Sequence, residues 1–314
     1  MNQVERSKRI KERALELGFN SVGITDLSPT PHGNKLETWL AAGMAGTMSY
    51  MERQLPKRRN PSQILPGATH AVMLTWGYYT VDPPRAEGTG QVARYARGKD
   101  YHEALKNPLD SLITFMHSVG DDHTIAKACV DAGPVPEREL AQRAGLGWIG
   151  KNTMLIDPLR GSFFFLASVL TNLELQPDPP FNLDRCGTCT RCLDACPTQA
   201  FPEPHILDSR RCISYLTIEH RGQFEEEQQG FVHDWVFGCD ICQEVCPWNT
   251  KFARETDNGV LGLSDELAFL DLAELEALDQ ATFEHRYGWT ALERAGVDGL
   301  RRNAELVRNN SGDT

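Results

Sequence analysis

Apolar residues recur at helical spacing among many charges over residues 3–17, and this predicts an amphipathic helix at the start of the chain. Gly18 ends it, and a short strand is expected near Ser21–Ile24. Lys35–Ala42 has helical spacing, and Ala71–Tyr79 is an almost unbroken apolar run of strand length. Tyr101–Val119 is helical in period, with an interruption or kink expected at Pro108. Thr124–Val130 alternates like a strand, and Pro136–Ala144 has the period of a helix. Thr153–Ile156 and Ser162–Leu170 follow as strands, so the first 175 residues form an α/β (α+β) lobe. Asn172–Leu183, with three prolines, reads as a linker. Beyond Lys251 the pattern turns helical and acidic, with an N-cap at Ser264 and a last basic amphipathic helix over Gly299–Asn310.

Between the linker and these helices the pattern of apolar residues matters less than that of the cysteines. Eight of nine fall between Cys186 and Cys246. Cys186, Cys189, Cys192 and Cys196 run as C-x2-C-x2-C-x3-C-P; Cys212 stands alone; Cys239, Cys242 and Cys246 close with a second C-x3-C-P. Closely spaced thiolates wrap one iron–sulfur cubane, and the cysteine before proline ligates the other cluster of a pair. Crossed ligation assigns Cys186, Cys189, Cys192 and Cys246 to cluster one. Cys196, Cys212, Cys239 and Cys242 form cluster two, Cys212 supplying the thiol that the second run lacks. Disulfides would need an oxidising compartment, and zinc sites show two separated pairs. The charged N-terminal helix is not a signal peptide, so two [4Fe–4S] clusters are the expectation. Cys129, outside the window, reads as a buried apolar thiol.

Three segments follow: residues 1–175, a bacterial ferredoxin-like module at 176–250, and a short helical segment at 251–314. The longest apolar stretch, Ser162–Leu170, is too short to span a bilayer, so a cytoplasmic protein without membrane contact is expected, and a monomer. A net charge of −11 argues against a surface that coats nucleic acid generally. The charge is uneven, however. Arg53, Lys57, Arg58 and Arg59 lie in a stretch free of acid, with Arg94, Arg97 and Lys99 beyond it, so a local basic face for phosphates competes with an ordinary solvated run.

Gly145-Leu-Gly147-Trp-Ile-Gly150 matches the dinucleotide-binding glycine pattern, and with Lys151-Asn152 it approaches a phosphate-binding loop. Both motifs need a strand before and a helix after, and here the order is inverted. The glycines are read instead as a tight turn or a close backbone approach.

Several segments together resemble epoxyqueuosine reductase. They are Val130-Asp131-Ala-Gly-Pro-Val-Pro-Glu137-Arg138, Ala144–Asn152, Gly161-Ser162-Phe-Phe-Phe, Ala93–His102, Cys212–Glu219 and Cys239–Asn249, nearly the whole chain being covered. The resemblance implies cobalamin in the N-terminal lobe beside the two clusters. It implies reduction of the epoxide of epoxyqueuosine at the wobble position of a tRNA, with electrons from an unidentified low-potential donor. Replacing an epoxide by an alkene takes two electrons and two protons and releases water, so an acid must protonate the departing oxygen. Asp131 matches the family's proton donor. Arg59, Tyr95, Asp131, Lys151, Asn152, Ile156 and Ser162 are implied in the cofactor pocket, and Tyr215, Glu219 and His220 in substrate contact. Many relatives continue into helical repeats that hold tRNA, and this chain ends after Asn310-Ser-Gly-Asp-Thr. The competing readings are a cobalamin-dependent reductive dehalogenase-like enzyme and a non-catalytic two-cluster electron carrier.

Overall fold

The computed structural model describes residues 1–256 and 259–310; the last four residues, on which the reading of the chain's end partly falls, lie outside the described residues. The first helix, Gln3–Glu16, begins where Asn2 accepts from the Glu5 amide at 2.9 Å and ends before Gly18, whose φ of +100° turns the chain. Strands β1 (Ser21–Asp26), β2 (His70–Gly77), β3 (Thr89–Val92), β4 (Ala126–Cys129), β5 (Trp148–Ile149), β6 (Leu155–Ile156), β7 (Phe164–Thr171), β8 (Trp235–Phe237) and β9 (Phe269–Asp271) follow.

The main sheet runs β1-β2-β7-β4, and every pairing in it is antiparallel, with Ile24 opposite Val72 and Val72 opposite Val169. Alternate side chains leave opposite faces of a strand, and both faces here are apolar. Val72, Leu74, Ala167 and Val169 meet Ile10 of the first helix and Leu112 and Met116 of the helix Lys106–Ser118. Ala71, Met73, Phe164 and Leu170 meet Leu140, Ala141 and Ala144, on and just after the helix Glu137–Arg143. A sheet covered twice explains the long apolar runs. The break expected at Pro108 comes earlier, at Leu105, between the helices Tyr101–Ala104 and Lys106–Ser118. Pro108 sits in the first turn of the second helix, where a missing N–H costs nothing.

A second sheet, β8-β3-β9, takes one strand from each of the three sequence segments, β3 lying parallel to β8 and antiparallel to β9. Beneath it Val236 and Phe237 pack with Leu216, Leu272, Leu275, Phe283, Leu300 and Val307. The C-terminal helices thus share a core with the cysteine module. Ser264 caps the turn Asp265–Leu267, as its sequence suggests, and the last helix spans Gly296–Asn310. No described helix is long and apolar enough to cross a membrane.

The glycine-rich stretch is a hairpin in which Trp148 pairs with Ile156 and Ile149 with Leu155. A Cβ on Gly147 would lie 2.1 Å from the Ile156 carbonyl oxygen, so glycine is required for one strand to pass the other.

Candidate functional site

The eight cysteines of the module fold back into two groups. Burial, then the neighbouring Cys186, Cys246 and Cys189, push the Cys192 thiol up to about 11, and Cys246 faces Cys186 and Cys189 in turn. Burial likewise raises Cys242 and Cys239, which lie in electrostatic reach of Cys212; Cys212 in turn neighbours Cys196. Cys192 also lies in electrostatic reach of Cys242. Crowded, buried thiols resist ionisation, and iron offsets that cost by binding the thiolate. Among the described residues, no three His, Cys, Asp or Glu side chains sit closely enough to hold a single metal ion.

The β5–β6 hairpin holds both cysteine loops. Lys151 Nζ donates to the carbonyl oxygens of Gly187 and Cys189 at 2.7 and 3.0 Å, on the first loop. Asn152 Nδ2 donates to the Cys242 carbonyl oxygen at 3.2 Å, on the second, and Trp148 Nε1 donates to Cys186 Sγ at 3.4 Å. Cations and amides aimed at a cluster loop fix its shape and temper the negative charge of four thiolates.

Cys196, Cys212, Cys239 and Cys242 form one side of a cavity of about 430 Å³. Tyr78, Tyr95, Tyr101, Phe164 and Phe165 line it too, with Asn152, Ser162 and Gln243 adding polar groups. Tyr101 stacks on Phe165 with ring centroids 4.3 Å apart and planes 14° from parallel. Burial first, then the charges of Asp131 and Asp240, hold the Tyr95 phenol well above its ordinary value, so it stays protonated.

Asp131 lines the same cavity. It follows β4 on a turn at a φ of +50°, a conformation that Asp accepts more readily than most residues. Its amide donates to Glu137 Oε1 at 3.0 Å, and its Oδ2 accepts from the Tyr101 hydroxyl at 2.6 Å. Burial, then the charge of Asp131, push the Glu137 carboxyl up to about 8. Arg58 stands nearby, and burial lowers its guanidinium; exposed Arg138 donates to the Thr153 carbonyl oxygen at 2.7 Å. Arg58 Nε has no hydrogen-bond partner.

Of the residues expected in a cofactor pocket, Tyr95, Asp131, Asn152 and Ser162 line the cavity, although the Ser162 hydroxyl is occupied by Gln243 and Asn249 at 2.9 Å each. Lys151 turns instead to the first cysteine loop. Ile156 is buried against Trp148 and Cys246, and Arg59 makes a surface ion pair with Glu37. Among the residues expected at the substrate, Tyr215 is buried and its hydroxyl sits 2.7 Å from the Thr47 amide nitrogen. His220 Nε2 lies 3.0 Å from the Gln223 carbonyl. Glu219 does not line the cavity; it lies in electrostatic reach of Tyr50 and accepts from Arg294 through both oxygens at 2.9 Å.

Arg94 and Arg97, considered for a phosphate-binding face, are buried instead. Arg94 reaches Asp82 and Glu244 at 2.5 Å and Asp240 at 3.4 Å, and Arg97 reaches Asp82 at 2.5 Å. Charge in the sequence said nothing of that enclosure. Tyr101 and Gln243 did not emerge from the sequence as site residues, although both lie within segments that carried the resemblance, and Arg58 was considered only for a phosphate-binding face.

Two family models match the chain: "4Fe-4S double cluster binding domain" over residues 185–249, and "Epoxyqueuosine reductase QueG, DUF1730" over residues 58–132. The epoxyqueuosine reductase of Gloeobacter violaceus is 41% identical over 98% of this chain and 97% of its own length. A crystal structure of epoxyqueuosine reductase with a tRNA-Tyr epoxyqueuosine-modified stem loop is 32% identical, with a TM-score of 0.92 over 100% of this chain and 83% of its own. A Bacillus subtilis epoxyqueuosine reductase with its catalytic loop swung out of the active site is 31% identical, with a TM-score of 0.91 over 100% of this chain and 83% of its own. The chain belongs to the epoxyqueuosine reductase family of oxidoreductases.

Proposed function

We propose that this chain reduces epoxyqueuosine to queuosine in the wobble position of tRNA, with Asp131 as proton donor and cobalamin in the cavity beside the second cysteine quartet. One observation carries the reading: Asp131 and Cys196, Cys212, Cys239 and Cys242 line one cavity. A proton source and an electron outlet therefore face the same space.

The cavity suits a corrin, because its aromatic lining of Tyr78, Tyr95, Tyr101, Phe164 and Phe165 offers an apolar face to a flat macrocycle. When bound, cobalamin would collect single electrons from the clusters and deliver reducing equivalents to the strained carbon. The residues of the chain do the rest. Cys186, Cys189, Cys192 and Cys246 hold one cluster, and Cys196, Cys212, Cys239 and Cys242 hold the other, between it and the cavity. Asp131 gives its proton to the epoxide oxygen as the carbon–oxygen bond breaks, since an alkoxide is a poor leaving group at neutral pH. The Tyr101 hydroxyl fixes the direction in which that proton points, and Glu137 holds the turn through the Asp131 amide. A second proton completes the water that leaves. Glu219, paired with Arg294, would contact nucleotides beside the modified base.

The test is anaerobic purification with added cobalamin, an ultraviolet–visible spectrum, and assay on an epoxyqueuosine-modified tRNA stem loop under strong reductant. Cluster and corrin bands with queuosine as product are expected. Both chromophores without queuosine would overturn the reading.

A further inference from the structure

The cavity side of the module accounts for the second quartet, but electrons must also arrive. The first quartet does not line the cavity and lies on a loop whose residues 182–185 and 187–188 are exposed. Around it the surface has an unusual make-up. Leu159 and Leu183 are 75% and 62% exposed, the two most exposed large apolar side chains among the described residues. Leu183 lies just before Cys186, and Leu159 lies just beyond Ile156, which packs with Cys246 and Trp248.

Cations lie on the aromatic side chains of this module. The Arg185 guanidinium lies over the Phe181 and Trp248 rings at 5.5 and 6.0 Å, and Lys251 lies over Phe252 at 5.0 Å. Trp248 and Phe252 stack on one another at 5.5 Å, which joins the two cations through one aromatic ridge. Neither Arg185 nor Lys251 is ion-paired with a described residue, whereas Asp184 accepts from the Cys186 amide at 2.8 Å and Asp194 from the Thr190 hydroxyl at 2.7 Å. A chain of net charge −11 thus presents unpaired cations and bare leucines beside its outer cluster site. Exposed apolar side chains beside unpaired cations mark a surface for another protein, and charge complementary to Arg185 and Lys251 steers that partner into register.

We propose that this face docks a small acidic protein that carries one electron at a time. The inference rests on the cluster assignment above. The carrier gives up one electron and is oxidised, cluster one takes it and is reduced, and no atom or proton moves. Two such transfers supply the two electrons of one turnover.

The experiment uses the anaerobically reconstituted full chain and a reduced acidic flavodoxin as probe. Binding is measured at low and high salt, and cluster bleaching is followed by stopped flow with flavodoxin and, separately, with dithionite. Binding should weaken as salt rises. Arg185→Glu with Lys251→Glu should lower affinity and the flavodoxin-driven rate by about tenfold or more, and leave dithionite bleaching unchanged. Leu159→Asp, at a solvent-facing position, should weaken binding in the same direction. Equal flavodoxin binding by wild type and both variants, or binding indifferent to salt, would overturn the docking face while leaving the cluster assignment standing. Failure of dithionite to bleach any cluster band would remove the cluster assignment, and this proposal with it.

Discussion

The Tyr101 hydroxyl donates to Asp131 Oδ2 at 2.6 Å, across a gap of thirty positions in the sequence and into the same cavity that the second cysteine quartet walls. Burial first, then the charge of Asp131, raise the Tyr101 phenol, so it remains a donor at any working pH. Tyr101→Phe keeps the ring stacked on Phe165 and removes only this bond. A hydrogen bond to the neutral acid contributes about 0.5–1.5 kcal/mol, so the single-turnover rate should fall by about twofold to tenfold with only a small loss of thermal stability. An unchanged rate would mean that the hydroxyl does not orient the acid.

Asp131→Asn is the sharper change. Asn tolerates the left-handed backbone as Asp does, so the turn should persist. Turnover should drop by about a hundredfold or more while cobalamin and stem-loop binding hold. Normal turnover with normal binding would exclude Asp131 as the acid.

Glu137 predicts a pH dependence. Its carboxyl titrates near 8 in the folded protein and near 4.5 in an unfolded chain. Between those values the folded state binds more protons, so this group's contribution to stability falls as pH rises from about 4.5 to about 8. Glu137→Gln keeps an oxygen for the Asp131 amide and removes the titration. The variant's thermal midpoint should therefore gain on the wild type over that window, and parallel curves across it would refute the assignment.

Lys151→Met should act on the cluster rather than on the cavity. It deletes two charge-assisted hydrogen bonds to the Gly187 and Cys189 carbonyl oxygens, each contributing about 1.5–3 kcal/mol. Iron retained per chain after exposure to a chelator should fall, starting with the outer cluster. Retention equal to the wild type would show that the loop holds its shape unaided.

The most legible part of the site was the part set by ligand chemistry. Four thiols must reach one cube, so the spacing of Cys186 to Cys196 carries its meaning without any knowledge of the fold. The glycine hairpin was legible by elimination: a helix before Gly145 and a strand after Asn152 are the wrong order for a nucleotide loop. Enclosure was not legible. Arg94 and Arg97 read like Lys57 in a list of cations, yet they lie in a buried network with Asp82, Asp240 and Glu244 whose members are far apart in sequence. Tyr215 and Tyr101 lie in equally suggestive segments, and only the packing sends one hydroxyl to Thr47 and the other to Asp131. The β8-β3-β9 sheet was equally hidden, because Gln91 pairs with both Trp235 and Phe269 and no local pattern records such partners.

That sheet also means that a cassette in the sequence is not a cassette in space. Excising residues 176–250 would strip β8 of β3, and stopping the chain at residue 250 would strip β3 of β9. Either cut lays Val236, Phe237 and Leu216 open to water, and with them the ground on which Cys212 and Cys239 stand. The iron-binding stretch is therefore no portable ferredoxin. It is the keystone of an arch whose two piers are drawn from opposite ends of the polypeptide.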